Sequence, residues 1–143
     1  MTYATLDLLT NRVGEAMLIA LTDRGEVPLG VVDTDVLGRA LADADAIIDG
    51  YLAARYVLPL VSTPALIADL AQAITLWKLH VTTPDEKVKA DYDAAMRTLR
   101  DIAQGIIRIP DATGVDATPS GAGGVQFIDR ERPFTPENMT GFI

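Results

Sequence analysis

Apolar residues recur at three- to four-residue spacing through most of residues 34–104, and this spacing constrains the fold more than any other feature of the sequence. Three signals typical of helix starts divide the pattern. They are Asp33-Thr34, Thr63-Pro64 and the capping-box sequence Thr83-Pro84-Asp85-Glu86. Pro59 disfavours continuation of the helix before it, and Gly105 stands where a helix-ending glycine belongs. The sequence therefore predicts three long helices between Asp33 and Gly105.

Each predicted helix carries an apolar stripe that is able to face a core. The stripes are Val36, Leu37, Ala40, Leu41, Ala44, Ile47, Ile48, Tyr51 and Leu52, then Leu66, Ile67, Leu70, Ala71, Ile74, Trp77 and Val81, then Val88, Tyr92, Ala95, Met96, Leu99, Ile102 and Ala103. Before them, residues 6–12 and 15–21 form two short helical stretches interrupted by Gly14, and residues 23–33 read as a loop. We therefore predict an all-α fold, a small bundle of about four helices whose first helix is broken.

The character of the chain changes after Gly105. Residues 106–109 and 125–128 each predict a short β-strand, and residues 110–124 are rich in glycine, proline, alanine and threonine. We predict a helical body over residues 1–105 and an extended C-terminal arm over 106–143, divided into a flexible linker (110–124) and an anchor segment (125–143). Aromatic and methionine side chains fill partner pockets efficiently, so we expect the arm to dock through four anchors. The anchors are Phe127, Phe134, Met139 and Phe142.

The residue types argue against an enzyme. The chain has no cysteine and one histidine, His80, which the pattern places at a helix end with no nucleophile motif near it. Asp43, Asp45 and Asp49 match only the start of a calcium loop and lie within helical periodicity, which indicates a solvated acidic face. We therefore predict no catalytic residue, no cofactor and no metal site.

The formal net charge of −8 argues against a function that depends on binding nucleic-acid phosphates. The same charge is compatible with a surface that DNA passes without adhering, because like charges repel. The sequence has neither a signal-peptide pattern at its start nor an apolar run that would span a bilayer, so we expect no membrane partner and assembly in the cytoplasm.

Three stretches of the chain resemble a family encoded in Mu-like phages and prophages, whose members are regarded as head-tail connector, or adaptor, proteins. They are ADADAIIDGYLAARYVLPL (residues 42–60), the N-terminal DLLTNRVGEAMLIALTDRG and the C-terminal GGVQFIDRERPFTPENMTGF. The most specific part is Ile48-Asp49-Gly50-Tyr51-Leu52, followed by Arg55-Tyr56 and Leu58-Pro59-Leu60. The resemblance covers nearly the whole chain, including the predicted arm.

The resemblance implies a structural virion protein at the neck of a tailed phage. Identical subunits would form a twelvefold ring on the portal protein, with a stopper or tail-completion protein beyond it and DNA passing through the lumen without specific binding. Two alternatives stay open: another neck protein, such as a stopper or tail terminator, and a small acidic regulator that binds a host protein. The regulator would need one continuous acidic patch, whereas the acidic residues here are spread over several predicted helices and mixed with Lys and Arg.

Overall fold

The computed structural model describes residues 1–110 and Ala112, and this part of the chain contains five α-helices and no β-strand. The helices are α1 (Leu6–Val13), α2 (Glu15–Thr22), α3 (Thr34–Leu52), α4 (Ala65–Leu79) and α5 (Glu86–Gln104). The predicted all-α fold is therefore confirmed, with the broken first helix present as α1 and α2. None of the helices in the described residues is long and apolar enough to cross a membrane.

The three long helices pack against one another and form the centre of the bundle. α4 contacts both α3 and α5, and α3 also contacts α5. Side-chain hydrogen bonds join the chain just after α3 to the last residues of α5, so the carboxyl ends of these two helices lie together and α4 runs in the opposite direction. The bundle therefore has two ends, one where α3 and α5 begin and one where they finish.

Two clusters of buried apolar side chains hold the bundle together. The larger one joins α3, α4 and α5 and also takes in Tyr3, Ala4, Leu60 and Ile109 from outside the helices. The smaller one is formed by Leu9, Leu18, Leu37, Ala40, Leu76 and Leu79, and it attaches α1 and α2 to the rest. The predicted stripes thus lie mostly on buried faces. Val81 is an exception, being 75% exposed, because α4 ends at Leu79 before the stripe reaches it.

One of the three predicted helix caps is confirmed. Asp33 Oδ1 accepts hydrogen bonds from the amides of Asp35 (2.9 Å) and Val36 (3.1 Å) and caps α3. The prediction that Thr63 caps a helix beginning at Pro64 is wrong, because Pro64 itself is the capping residue and α4 begins one residue later. The Thr83 capping box is also wrong, since Asp85 precedes α5 and makes no side-chain cap hydrogen bond.

The end of α3 and the chain after α5 also differ from prediction. α3 stops at Leu52, well before Pro59, and the amides of Arg55 and Tyr56 both donate to the Leu52 carbonyl in a tight turn. The predicted strand at residues 106–109 is wrong, because this segment packs against the helices and pairs with no strand. The second predicted strand (125–128) and residues 111 and 113–124 of the predicted linker lie outside the described residues.

Candidate functional site

The end of the bundle where α3 and α5 finish is the place from which the chain continues toward its C-terminus. We call it the arm end and define it as residues 53–64 and 104–110. Arg55 organises this end: its Nε donates to the Ala103 carbonyl (2.7 Å) and its Nη2 donates to the Gln104 carbonyl (2.8 Å). These carbonyls belong to the last turn of α5, where backbone acceptors have no partner within the helix and a positive charge is favourable. Arg55, which lies in the connection between α3 and α4, therefore caps the C-terminus of α5.

Gly105 makes room for this cap. Its φ of 79° is left-handed, and the amides of Ile106 and Ile107 both donate to the Asp101 carbonyl as the helix closes. A Cβ added at Gly105 would clash with the guanidinium of Arg55. Glycine is thus required both by the backbone angle and by the guanidinium beside it.

Tyr56 holds the chain a few residues further on. Its hydroxyl accepts a hydrogen bond from the Ile109 amide (3.0 Å), and the Ile109 side chain is only 4% exposed within the larger core cluster. Arg55 binds the chain just before residues 105–109 and Tyr56 binds it at Ile109, and we call residues 105–109 the root. The chain is therefore held against the body for several residues beyond the end of α5, and Ala112 also packs against the larger core cluster.

The four predicted anchors, Phe127, Phe134, Met139 and Phe142, lie outside the described residues. What the sequence reasoning missed is the root that precedes them. Arg55 and Tyr56 belonged to the most specific part of the family resemblance, but no sequence pattern indicated a role for them. Their partners are 48 to 53 residues away along the chain, and no periodicity or cap signal reports contacts at that separation.

The opposite end of the bundle, which we call the loop end (residues 22–33 and 79–85), is also ordered by polar side chains. The buried Thr22 hydroxyl donates to the Leu18 carbonyl and accepts from the Asp33 amide (3.0 Å). Asp23 Oδ2 accepts from the amides of Leu29 (2.9 Å) and Gly30 (3.0 Å). Arg24 Nη2 donates to the Leu79 carbonyl at the end of α4. The loop predicted from glycine and proline is thus a structured loop with fixed attachments.

The predicted acidic face of α3 proves to be only partly a solvated surface. Asp45 Oδ1 accepts from the Tyr3 amide (3.0 Å), and Asp49 accepts a hydrogen bond from the Tyr3 hydroxyl. Burial raises the pKa of the Tyr3 hydroxyl well above its ordinary range, and the hydrogen bond to Asp49 raises it further. Burial also raises the pKa of Asp45, a shift that the amide of Tyr3 opposes. These two carboxylates therefore attach the N-terminus to α3, while Asp43 remains exposed.

A second polar group attaches α1 to the other two long helices. Arg12 Nη1 lies 2.7 Å from Asp69 of α4, and its Nη2 lies 3.4 Å from Asp91 of α5. Lys87, one turn before Asp91, donates a further hydrogen bond to that carboxylate (2.9 Å). The hydrogen bond from Lys87 holds the pKa of Asp91 below its ordinary value, with Arg12 adding to the effect. This cluster bridges three helices.

The side chains considered for chemistry have structural roles. His80 Nδ1 donates to the Leu76 carbonyl (2.7 Å) at the end of α4. The rings of Trp77 and Tyr92 stack with centroids 4.6 Å apart and 12° between planes, so they contact each other across α4 and α5. Within residues 1–110 and Ala112, no three acidic, histidine or cysteine side chains are grouped closely enough to hold a metal ion.

A family model described as "Bacteriophage Mu, Gp36" matches residues 3–127, which include all five helices and the root. The chain belongs to the phage Mu Gp36 family. It is 35% identical to "Gene product J" of Escherichia phage Mu over 143 residues, the whole length of both chains. It is also 33% identical over 78 residues to the "Mu-like prophage FluMu protein gp36" of Haemophilus influenzae, which covers 54% of this chain and 55% of that protein.

Membership in the Gp36 family confirms the phage origin that the sequence resemblance implied. The family match ends at Phe127, so three of the four predicted anchors lie beyond it. The similarity to the phage Mu protein, in contrast, continues through the full C-terminal segment. The root and the segment after it are therefore parts that this chain and the phage Mu protein have in common.

Proposed function

We propose that this Gp36-family protein is a head-tail connector, a structural virion protein whose identical subunits form a ring on the portal protein of a tailed phage. DNA would pass through the centre of the ring. The observation that carries the proposal is the root, where Arg55 and Tyr56 fix the chain before it continues into the C-terminal segment. A fixed point of departure suits a segment that fastens the helical body to another protein.

The C-terminal segment would be the fastening element. Residues 113–143 include Phe127, Phe134, Met139 and Phe142, side chains of the kind that dominate binding energy when they enter partner pockets. We propose that these four anchors dock on the portal protein or on a neighbouring subunit. We also propose that the C-terminal arm is a unit separate from the helical body.

Charge supports the passage of DNA without adhesion. The whole chain carries a formal net charge of −8, and a ring of such subunits would present a negative potential to the DNA backbone. The effect would act over about 8 Å at physiological salt. We accordingly propose a structural role without catalysis, cofactor or metal, at the neck of the virion.

The proposal is tested by measuring the mass of the purified chain mixed with the portal protein of the same phage, and separately with its tail-tube and tail-completion proteins. A connector binds the portal ring. A chain that ignores the portal and binds the tail tube would instead be a tail terminator, and one that binds neither would remove the phage-neck assignment.

A matched pair of variants tests the anchors in the same assay. The fourfold variant with Phe127, Phe134, Met139 and Phe142 replaced by alanine should lose at least thirtyfold in portal affinity, because truncating even one hot-spot side chain costs about 2 kcal/mol or more, which corresponds to that change. The control Thr140→Ser, in the same segment, should bind as the unmodified chain does. Equal portal affinity of the two variants would show that these four side chains do not anchor the chain to the portal.

A further inference from the structure

Two groups of exposed aliphatic side chains lie at opposite ends of the bundle. At the loop end, Val27, Leu29 and Val31 project from the loop, and Leu29 is 75% exposed. Val81 joins them just beyond the end of α4. At the arm end, Val57, Val61 and Ile106 are exposed, with Val61 at 86%. Apolar side chains exposed in groups mark contact surfaces, whereas isolated ones are ordinary.

The backbone of the loop end is held in place by hydrogen bonds within the chain itself. Asp23 holds the backbone at Leu29 and Gly30, and Thr22 holds it at Asp33, so the loop is tied at its tip and at its base. A surface that is already ordered loses little conformational entropy on binding. The arm end is held in the same way by Arg55 and Tyr56.

The two ends carry opposite charge. Carboxylates outnumber basic groups within the loop end, where the acidic residues are Asp23, Glu26, Asp33 and Asp85 and the basic one is Arg24. Within the arm end, Arg55 and Arg108 are basic and no residue is acidic, whereas the adjoining helical turns carry Arg100 together with Asp49, Asp69 and Asp101. Arg100 and Arg108 are exposed, and neither forms an ion pair with another residue in the described part of the chain.

The separation of the two ends decides what kind of contact they can make. They are separated by the length of α3, whose 19 residues span about 28 Å. A twofold dimer uses one self-complementary patch on both subunits, whereas two different patches that complement each other generate a head-to-tail series, which closes into a ring if the rotation permits. In this chain, both the loop end and the arm end present exposed aliphatic side chains, and the two ends carry charges of opposite sign.

We infer that copies of this chain associate head to tail, with the loop end of one subunit on the arm end of the next. Leu29 and its neighbours on the loop would contact Val57, Val61 and Ile106 of the adjacent copy, and Arg100 and Arg108 would face the acidic loop end. The inference rests on the proposed function, in which identical subunits form a ring, and it names the two surfaces that make the ring.

Because the chain has no cysteine, single cysteines test this contact directly. Leu29→Cys chains and isotope-labelled Ile106→Cys chains are mixed in equal amounts, treated with a short bismaleimide, and analysed by mass spectrometry. Head-to-tail association predicts that the mixed dimer exceeds the two like dimers together by at least tenfold. The double variant Leu29→Cys/Ile106→Cys should give a ladder of higher multimers.

Each alternative outcome overturns the inference. Random collision would give mixed dimers in an amount equal to the two like dimers combined. A twofold interface through one end would enrich a single like dimer. Mixed dimers that are no more frequent than in an Ala42→Cys control, placed on the exposed middle of α3, would show that the ends have no preference for each other.

Charge provides a second, independent readout. Arg108→Glu should reduce the excess of mixed dimers several-fold at low salt, whereas Arg97→Glu should leave it unchanged, because Arg97 is also exposed but lies on α5 away from the arm end. Equal effects of both variants would contradict the assigned surface. Portal binding measured on the same variants separates the two claims: a chain that binds portal as a ring but fails the crosslinking test disproves the head-to-tail surfaces alone.

Discussion

The two ends of the bundle are both held by polar side chains, but the hydrogen bonds that hold them differ in reach along the sequence. At the loop end, Thr22 and Asp23 bind backbone amides 6 to 11 residues away, and of the three side chains that order this end Arg24 alone reaches further, to the Leu79 carbonyl 55 residues away. At the arm end, Arg55 and Tyr56 bind backbone groups 48 to 53 residues away. The order of the loop is thus mainly local, whereas the root is ordered only when α3 and α5 are already packed. Changes at the root should therefore affect the whole fold more than changes at the loop end.

The largest effect is expected from Ile109→Ala. Ile109 is buried in the larger core cluster, and truncating a buried isoleucine to alanine removes about 2 to 5 kcal/mol from the free energy of unfolding. Ile106→Ala is the matched control, because Ile106 is 70% exposed and its loss should change stability by less than about 0.5 kcal/mol. Urea unfolding of the two variants measures both values. Equal values would mean that the root is not part of the core.

Gly105→Ala should cost about 2 kcal/mol, because the added Cβ meets the Arg55 guanidinium and the left-handed backbone disfavours any side chain. Arg55→Ala removes two hydrogen bonds but also the clash. In that background, Gly105→Ala should therefore cost only the backbone term of about 1 kcal/mol. Gly50→Ala, in an open part of α3, should be neutral or stabilising. If the losses in unfolding free energy of Gly105→Ala and Arg55→Ala were fully additive in the double variant, the clash between an added Cβ and the Arg55 guanidinium would be contradicted.

Asp33→Ala tests the local character of the loop end. Loss of the cap of α3 should cost about 1 kcal/mol in thermal or urea unfolding, since two amide donors lose their acceptor. Asp85 precedes α5 without making a cap hydrogen bond, so Asp85→Ala should cost less than about 0.5 kcal/mol. A larger loss at Asp85 than at Asp33 would reverse the assignment of the caps.

The smallest effect concerns Asp91, which lies in the middle of the body between the two ends. Because its folded-state pKa is lowered, its stabilising contribution is complete above the unfolded-state pKa of about 3.9 and is lost as the pH falls through the folded-state value. Asp91→Asn should therefore cost about 0.5 kcal/mol at pH 7 and progressively less as the pH falls from 4 toward 2. Urea unfolding across this range measures the difference, and a difference independent of pH would exclude the ionic contribution.

The helices could be predicted from the sequence because their signals are local. Apolar spacing placed the three long helices, Gly14 placed the break between α1 and α2, and Asp33-Thr34 marked the start of α3, where Asp33 is the cap. The predicted strand at 106–109 failed for the opposite reason. Four residues rich in isoleucine look like a strand until the fold supplies Tyr56 and the larger core cluster as partners for Ile109. The same limit hid the attachment of Tyr3 to Asp45 and Asp49, which lie more than forty residues away.

The candidate site could be predicted only in outline. Family resemblance, since confirmed at the level of the phage Mu Gp36 family, drew attention to Arg55 and Tyr56 without explaining them. The structural role of Arg55 and Tyr56 depends on where α5 packs, and no local sequence pattern encodes that position. The four anchors in the C-terminal segment remain sequence predictions, as does the partner on which they dock.

Cryo-electron microscopy of the virion tests the connector proposal most directly. The account predicts a ring of this chain between the portal and the tail, with helical bodies in contact with one another and residues 113–143 extending from the root onto a partner. Density for the chain elsewhere in the particle, or a neck without it, would contradict the proposed function.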